Sequence, residues 1–131
     1  MTAIGAVPDL LQAVAEPTRL RIINCLAAAP LVVSDLQTVL DLPQPTVSRH
    51  LQVLRRAGIV RDTPIARFVL YRLRRPPGPP HKLMSAILDA MQTDPQLRAE
   101  RELALVRSHA HTGDRLLEPE TVSAGRSRRP R

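Results

Sequence analysis

The chain has 131 residues, of which 44% are apolar, and a net charge of +7 at pH 7. This length suits one domain plus a tail, and one Phe, one Tyr and no Trp leave Leu, Val, Ile and Ala to build the core. The sequence has no apolar run of membrane-spanning length, no signal-peptide pattern and only one cysteine. We therefore expect a cytoplasmic protein without a membrane partner, and its thin core favours association with a second copy.

Apolar residues recur every three or four positions in residues 3–15, which predicts an amphipathic first helix. A second helix is expected from Pro17, which suits a first helical turn, to about Ala28. Cys25 falls among isoleucine and leucine residues of this helix. An inert buried thiol is the favoured interpretation of Cys25, over a reactive or metal-binding role.

Residues 30–32 are candidates for a short strand that supports a later hairpin. The apolar spacing of residues 36–40 predicts a short third helix, which Val33 or Ser34 opens with Asp35 in its first turn. A tight connection over residues 41–44 then leads into a fourth helix. Two short helices joined in this way are typical of a helix-turn-helix.

The fourth helix is predicted to have two distinct faces. Val47, Leu51 and Leu54 form an apolar stripe at helical spacing. Pro45 fits its first turn and Gly58 the position just past its end. The opposite face carries hydroxyl, amide and guanidinium groups, the donors and acceptors that read base edges and phosphates: Thr46, Ser48, Arg49, Gln52 and Arg56. Taken alone, this helix is better interpreted as an ordinary surface helix with a solvated polar face, and only the elements on either side of it change that interpretation.

Residues 59–63 and 67–73 are rich in β-branched and aromatic residues and predict a hairpin, with a turn over residues 63–66 that contains Pro64. A helix-turn-helix followed directly by a basic hairpin is a winged helix. Residues 49–75 contain eight arginines and one acid, Asp62, so this window accounts for the whole net charge. A basic region that coincides with the fourth helix and the hairpin favours a nucleic-acid partner.

The proline-rich residues 74–80 predict a stiff, extended connector. A helix is expected from about His81 to Gln92, followed by Asp94 as an N-cap with Pro95 at the first position of a last helix. That helix should end near His109. Residues 112–131 have little to bury and are expected to be disordered.

Four blocks of the sequence resemble successive blocks of the ArsR/SmtB family: AEPTRLRII (15–23), VSDL (33–36), LPQPTVSRHLQVLRRAGIV (42–60) and RFVLYRL (67–73). The resemblance implies a mainly α winged helix-turn-helix with a two-stranded β wing and a C-terminal dimerisation helix region. It divides the chain into a DNA-binding domain (1–95), a dimerisation helix (96–111) and a basic tail (112–131). It also implies a homodimeric repressor that binds a double-stranded DNA operator.

The family pattern places the DNA-reading residues on the fourth helix and the wing: Gln44, Thr46, Ser48, Arg49, His50 and Arg67. Gln and Arg are the bidentate readers of adenine and guanine edges. His50 falls close to the apolar stripe, so a packed, hydrogen-bonded histidine is as good an interpretation as a phosphate contact. The wing departs from the family in having Pro64, Ile65 and Ala66 where a charged turn with Gly is usual, which makes the tip less polar.

The family's thiol site requires cysteines at positions that hold Val32 and Ser34 here, so a thiolate site for soft metal ions cannot form there. Of the family's C-terminal metal site, only His109 and His111, with Asp114 nearby, remain. We predict no metal site, no cofactor and no catalytic group, since no nucleophile–base set or phosphate-binding loop is present.

The predicted function is that of a dimeric, sequence-specific transcriptional regulator, a repressor released from its operator by a small-molecule or metal effector whose identity is unknown. The alternative is a winged-helix module for protein interaction within a larger nucleic-acid complex. Such a module would not need a polar reading face together with a basic wing.

Overall fold

The computed structural model describes residues 3–75 and 78–114, and the side chains of residues 7–75 and 78–110. This part of the chain contains six helices and three strands, and the strands form one sheet. In chain order the elements are α1 (Ala3–Val14), α2 (Pro17–Ala28), β1 (Leu31–Val32), α3 (Val33–Leu40), α4 (Gln44–Arg56), β2 (Val60–Ile65), β3 (Phe68–Leu73), α5 (Pro79–Met91) and α6 (Pro95–Asp114). The mainly α winged helix-turn-helix predicted from the sequence is confirmed.

The core is built around α2, which contacts each of the other five helices and β3. Its N-terminus is capped by Glu16, whose carboxylate accepts a hydrogen bond from the Arg19 backbone N–H at 2.8 Å. Ile22 and Ile23 are fully buried, and the inner faces of α3 and α4 close over them with Leu36, Leu40, Val47, Leu51 and Leu54. Because each fully buried aliphatic side chain contributes about 1.5–3 kcal/mol, α4 is held firmly by its inner face.

The turn between α3 and α4 depends on one residue with left-handed backbone geometry. Asp41 has a φ of 57°, and its backbone N–H donates to the Gln37 carbonyl. Asp and Asn tolerate this conformation better than most residues, which suits Asp41 to ending α3. At the other end of α3, the buried Asp35 carboxylate accepts a hydrogen bond from the Val32 N–H at 3.2 Å. Both ends of the short α3 are therefore fixed.

The sheet has the order β1–β3–β2, and both pairs of strands are antiparallel. The expected short strand is β1, which pairs Leu31 with Tyr71. The prediction of a turn over residues 63–66 was wrong, because β2 continues to Ile65, which pairs with Phe68. The turn is Ala66 and Arg67, with Ala66 at a φ of 56°. Pro64 is accommodated inside β2 because β2 is an edge strand, where a missing N–H removes no essential ladder bond.

The C-terminal helices both begin at proline. α5 starts at Pro79, two residues earlier than expected, because Pro79 and Pro80 occupy a first turn whose N–H groups need no helical partner. Asp94 caps α6 as predicted, its Oδ1 accepting from the N–H groups of Gln96 (2.8 Å) and Leu97 (3.2 Å). α6 extends to Asp114, past its expected end and into residues 112–114 of the tail. Residues 115–131 of that tail lie outside the described residues.

α6 packs against α2 and α3 of its own chain through a series of polar contacts. Glu100 binds the Arg21 guanidinium, with the shortest N–O distance at 2.6 Å. Asn24 donates to the Leu97 carbonyl at 2.7 Å, and Arg101 donates back to Asn24 at 3.2 Å. These contacts join the C-terminal helix to the helix-turn-helix body. Within the described ranges, every helix is too short or too polar to span a bilayer.

Candidate nucleic-acid interface

The outer face of α4 is where the structure brings most of the sequence-predicted site residues together. Gln44 and Arg49 are exposed, and Thr46 and Ser48 are half-buried beside them. The opposite face is fully buried. The charge of α4 is also suited to an anionic partner, because the helix has no acid in its first turn and has two arginines in its last turn.

Two polar pairs on this face are already oriented in the isolated chain. Gln44 Nε2 donates to Ser48 Oγ at 2.6 Å, one turn along the helix. Gln52 Oε1 accepts from Arg55 Nε and Nη2 at 3.2 and 3.0 Å. Among the described residues, the Arg49 side chain has no hydrogen-bond or ion-pair partner. Arg49 can therefore bind an external acceptor without first giving up an internal one, and the same holds for Arg56 at the end of α4.

The structure places His50 against α2. His50 Nδ1 lies 3.3 Å from Arg19 Nη1 and 4.0 Å from Glu16 Oε1. Since a guanidinium only donates, Nδ1 acts as the acceptor, which requires a neutral ring with its proton on Nε2. Burial, together with the positive charge of Arg19, lowers the pKa of His50 and favours the same neutral form. This geometry favours the packed histidine of the two interpretations left open by the sequence.

Arg19 is the residue in this region that the sequence did not indicate. Its Nε donates to the Ala13 carbonyl, and its Nη1 donates to His50 of α4. It thus bridges the end of α1 to the side of α4. Residues 19 and 50 are 31 positions apart, and no local pattern connects two such residues before the fold is known.

The wing carries like charges in direct opposition. Arg61 on β2 pairs with Arg72 on β3 in the antiparallel register, an arrangement that costs stability unless an anion lies nearby. Arg72 Nε is buried and has no hydrogen-bond partner in the described part of the chain. Arg67 lies exposed in the two-residue turn at the tip. The wing therefore concentrates positive charge along its two strands and at its tip.

The arginines of the basic window continue from α4 onto the wing and beyond it. Seven of the eight side chains are exposed: Arg49, Arg55, Arg56, Arg61, Arg67, Arg74 and Arg75. α4 contacts β2, and β2 pairs with β3, so these elements form one connected region. A concentration of positive charge in neighbouring elements favours an anionic partner.

The only cysteine is inaccessible. Cys25 is fully buried in α2, and burial raises the pKa of its thiol to about 12, with the Glu100 carboxylate adding to the effect. Among the described residues, no group of three His, Cys, Asp or Glu side chains is arranged to hold a metal ion. His109 is exposed on α6, and the side chains of His111 and Asp114 lie outside the described residues.

Residues 16–62 match the family model described as "Bacterial regulatory protein, arsR family". The HTH-type transcriptional repressor SmtB of Mycobacterium tuberculosis is 39% identical over 88 residues, which cover 67% of this chain and 62% of that repressor. The chain therefore spans about three fifths of that relative's length.

The arsenic resistance transcriptional regulator ArsR1 of Pseudomonas putida is 35% identical over 96 residues, covering 70% of this chain and 73% of that regulator. Among solved structures, the transcriptional repressor BigR from Xylella fastidiosa superposes with a TM-score of 0.60 at 27% identity, covering 70% of this chain and 89% of BigR. Proteins of this family are transcriptional regulators rather than enzymes. The chain belongs to the ArsR family of bacterial regulatory proteins.

Proposed function

We propose that this protein is a homodimeric transcriptional repressor that binds a two-fold symmetric double-stranded DNA operator in the cytoplasm and is released by an effector. The observation that carries the proposal is the two-sided α4, which is fully buried on one face and presents unpaired Arg49 beside Gln44 on the other. The names of the SmtB and BigR relatives, both repressors, support the same function.

In this function α4 enters the major groove. Arg49 and Gln44 read base edges, while the Thr46 and Ser48 hydroxyls bind phosphates or bases. Arg67 extends from the tip of the wing to the minor groove or its phosphates. His50 acts as a positioning residue rather than a DNA contact, because its ring contacts Arg19 and so fixes α4 against α2.

Homodimerisation is supported by apolar side chains that lie exposed in the isolated chain. Leu11 on α1 is 48% exposed, and α1 packs against α5, where Ala86 and Ala90 are also exposed. α6 uses one face on its own chain and leaves Leu103 and Val106 exposed at 44% and 62%. We propose that α1, α5 and the helix over residues 96–111 together bury these groups between two copies.

Replacing Arg49 with Ala should weaken operator binding by about 1–3 kcal/mol and relax the preference at one base pair in each half-site. The reason is that a bidentate guanidinium contact distinguishes guanine from the other bases. Fluorescence anisotropy with operator and random duplexes measures both effects. Arg98→Ala, which removes an exposed arginine of α6, is the matched control and should bind like the wild type. An equal loss on operator and random DNA would assign Arg49 to a phosphate and refute its role in reading bases.

Replacing Cys25 with Ser should leave effector-dependent release from the operator unchanged. Soft ions such as arsenite require two or three thiolates around one centre, and the single thiol of each chain is buried and protonated. The measurement is operator binding by wild type and variant while arsenite, cadmium or zinc is titrated in, with Cys25→Ala as a second variant that adds no buried hydroxyl. Arsenite-driven release in the wild type that both variants abolish would contradict this prediction.

A further inference from the structure

A cavity of about 210 Å³ is lined by residues of α1, α5 and the segments that follow α4 and β3. α1 and α5 contribute Leu10 and Met84 to its lining. Ala57 and Gly58, which directly follow α4, and Arg74, which follows β3, also line it. The cavity is thus bounded by the helices assigned to dimerisation and by the end of the proposed reading helix.

The lining offers a ligand apolar surface and a single charged group. The backbone N–H groups of Gly58 and Ile59 are taken by the carbonyls of Arg55 and Leu54, at 3.0 and 2.9 Å. Within the described part of the chain, the Arg74 side chain has no carboxylate or hydrogen-bond partner. Its Nη1 lies over Gly58, 3.6 Å from the point where a Cβ would stand. An incoming polar group therefore meets one guanidinium and no other free donor on the lining.

We propose that this cavity binds a small aromatic monocarboxylate, with the ring inside and the carboxylate paired with Arg74. Cavities of about 150 Å³ with an apolar lining accommodate benzene, so the volume here admits one ring with a short substituent. The Met84 thioether offers a favourable sulfur–ring contact. A guanidinium binds a carboxylate through two parallel hydrogen bonds, which fixes the orientation of the ring.

The position of the cavity couples its occupant to DNA binding, and this step rests on the proposed function. Leu10 and Met84 line the cavity together with Ala57 and Gly58. A ring that contacts all four residues restrains the spacing between α1–α5 and the C-terminal end of α4. In a symmetric dimer that spacing sets the distance between the two reading helices. A ligand with different affinity for the DNA-bound and free spacings shifts the balance between them.

Benzoate is the probe for the site, titrated into the full-length protein without DNA. Binding should be saturable with a dissociation constant on the order of 1 mM, as expected for a ligand of so few atoms, and should shift the amide resonances of Ala57, Gly58 and Met84 in ¹⁵N-resolved spectra. Benzyl alcohol, which has the ring but no charge, should bind at least tenfold more weakly by calorimetry. Absence of saturation at millimolar benzoate, equal binding of the two probes, or resonance shifts confined to other residues would each overturn the site.

Arg74→Gln should weaken benzoate binding at least tenfold, whereas Arg75→Gln removes the neighbouring exposed arginine and should leave it unchanged. Equal loss in the two variants would mean general attraction to the basic surface and would refute the assignment. A second measurement follows operator affinity with and without saturating benzoate. An affinity change in the wild type and in Arg75→Gln that is absent in Arg74→Gln supports the coupling, and an unchanged wild type refutes it. Failure of every protein to bind DNA without benzoate would instead count against the proposed function, independently of the benzoate site.

Discussion

Operator affinity should fall by about 10³–10⁵ when the salt concentration rises from about 50 to about 200 mM, as for proteins that make some six to ten phosphate contacts. Each copy presents seven exposed arginines on α4, the wing and the segment that follows. Every phosphate they neutralise releases condensed counterions, and that release is less favourable in concentrated salt. The measurement is the slope of log K against the logarithm of the salt concentration. This slope should be about −0.9 for each phosphate neutralised.

Variants of the wing separate phosphate contacts from other effects of charge. Arg67→Ala removes an exposed arginine at the tip, so the magnitude of the slope should decrease by about 1 for each copy that contacts DNA there. Arg98→Ala lowers the net charge equally but lies on α6, and its slope should match the wild type. Operator binding that is insensitive to salt would favour the alternative function, a winged-helix module that binds another protein.

Much of the fold follows from the sequence because local patterns and tertiary packing agree. In α4 the stripe of Val47, Leu51 and Leu54 is fully buried, as its spacing predicts, and Pro17 opens α2 because its missing N–H is not needed there. The predicted hairpin turn was misplaced because proline is common in turns, so Pro64 by itself favours a turn. Only the order of the three strands shows that β2 is an edge strand that can accept it.

In the candidate site, too, some features follow from local sequence patterns and others only from the tertiary fold. The polar face of α4 is a periodic feature of a single helix, and the sequence displays it directly. The contact of His50 with Arg19 and the position of Arg74 over Gly58 depend on chain segments that only the fold brings together. The sequence left two interpretations of His50 open for this reason, and it gave no sign of the cavity.

Replacing Arg21 with Met should destabilise the protein by about 3 kcal/mol, the lower end of the range for breaking a buried ion pair. Arg21 donates to both Glu100 oxygens at 2.6–3.2 Å and to the Leu40 carbonyl at 3.2 Å. The hydrogen bond to Glu100 raises the pKa of Arg21 despite partial burial. The side chains of Arg21 and Glu100 are 27% and 11% exposed. Removing Arg21 thus leaves the carboxylate of Glu100, the less exposed partner, without its counter-charge. Because the pair is partly exposed, the loss of stability should stay below the upper end of the range for buried ion pairs.

The double variant Arg21→Met, Glu100→Met tests whether the loss comes from the unpaired Glu100. Replacement of both partners of a buried pair by apolar residues of similar size is close to neutral, so most of the lost stability should return. Urea unfolding followed by circular dichroism at one fixed protein concentration measures the free energies, since a dimer's stability depends on concentration. Arg98→Met is the control for an exposed arginine of α6. If the double variant is as unstable as Arg21→Met, the unpaired charge is not the cause. The loss would then come from the guanidinium contact with Leu40, the last residue of α3 before the turn into α4.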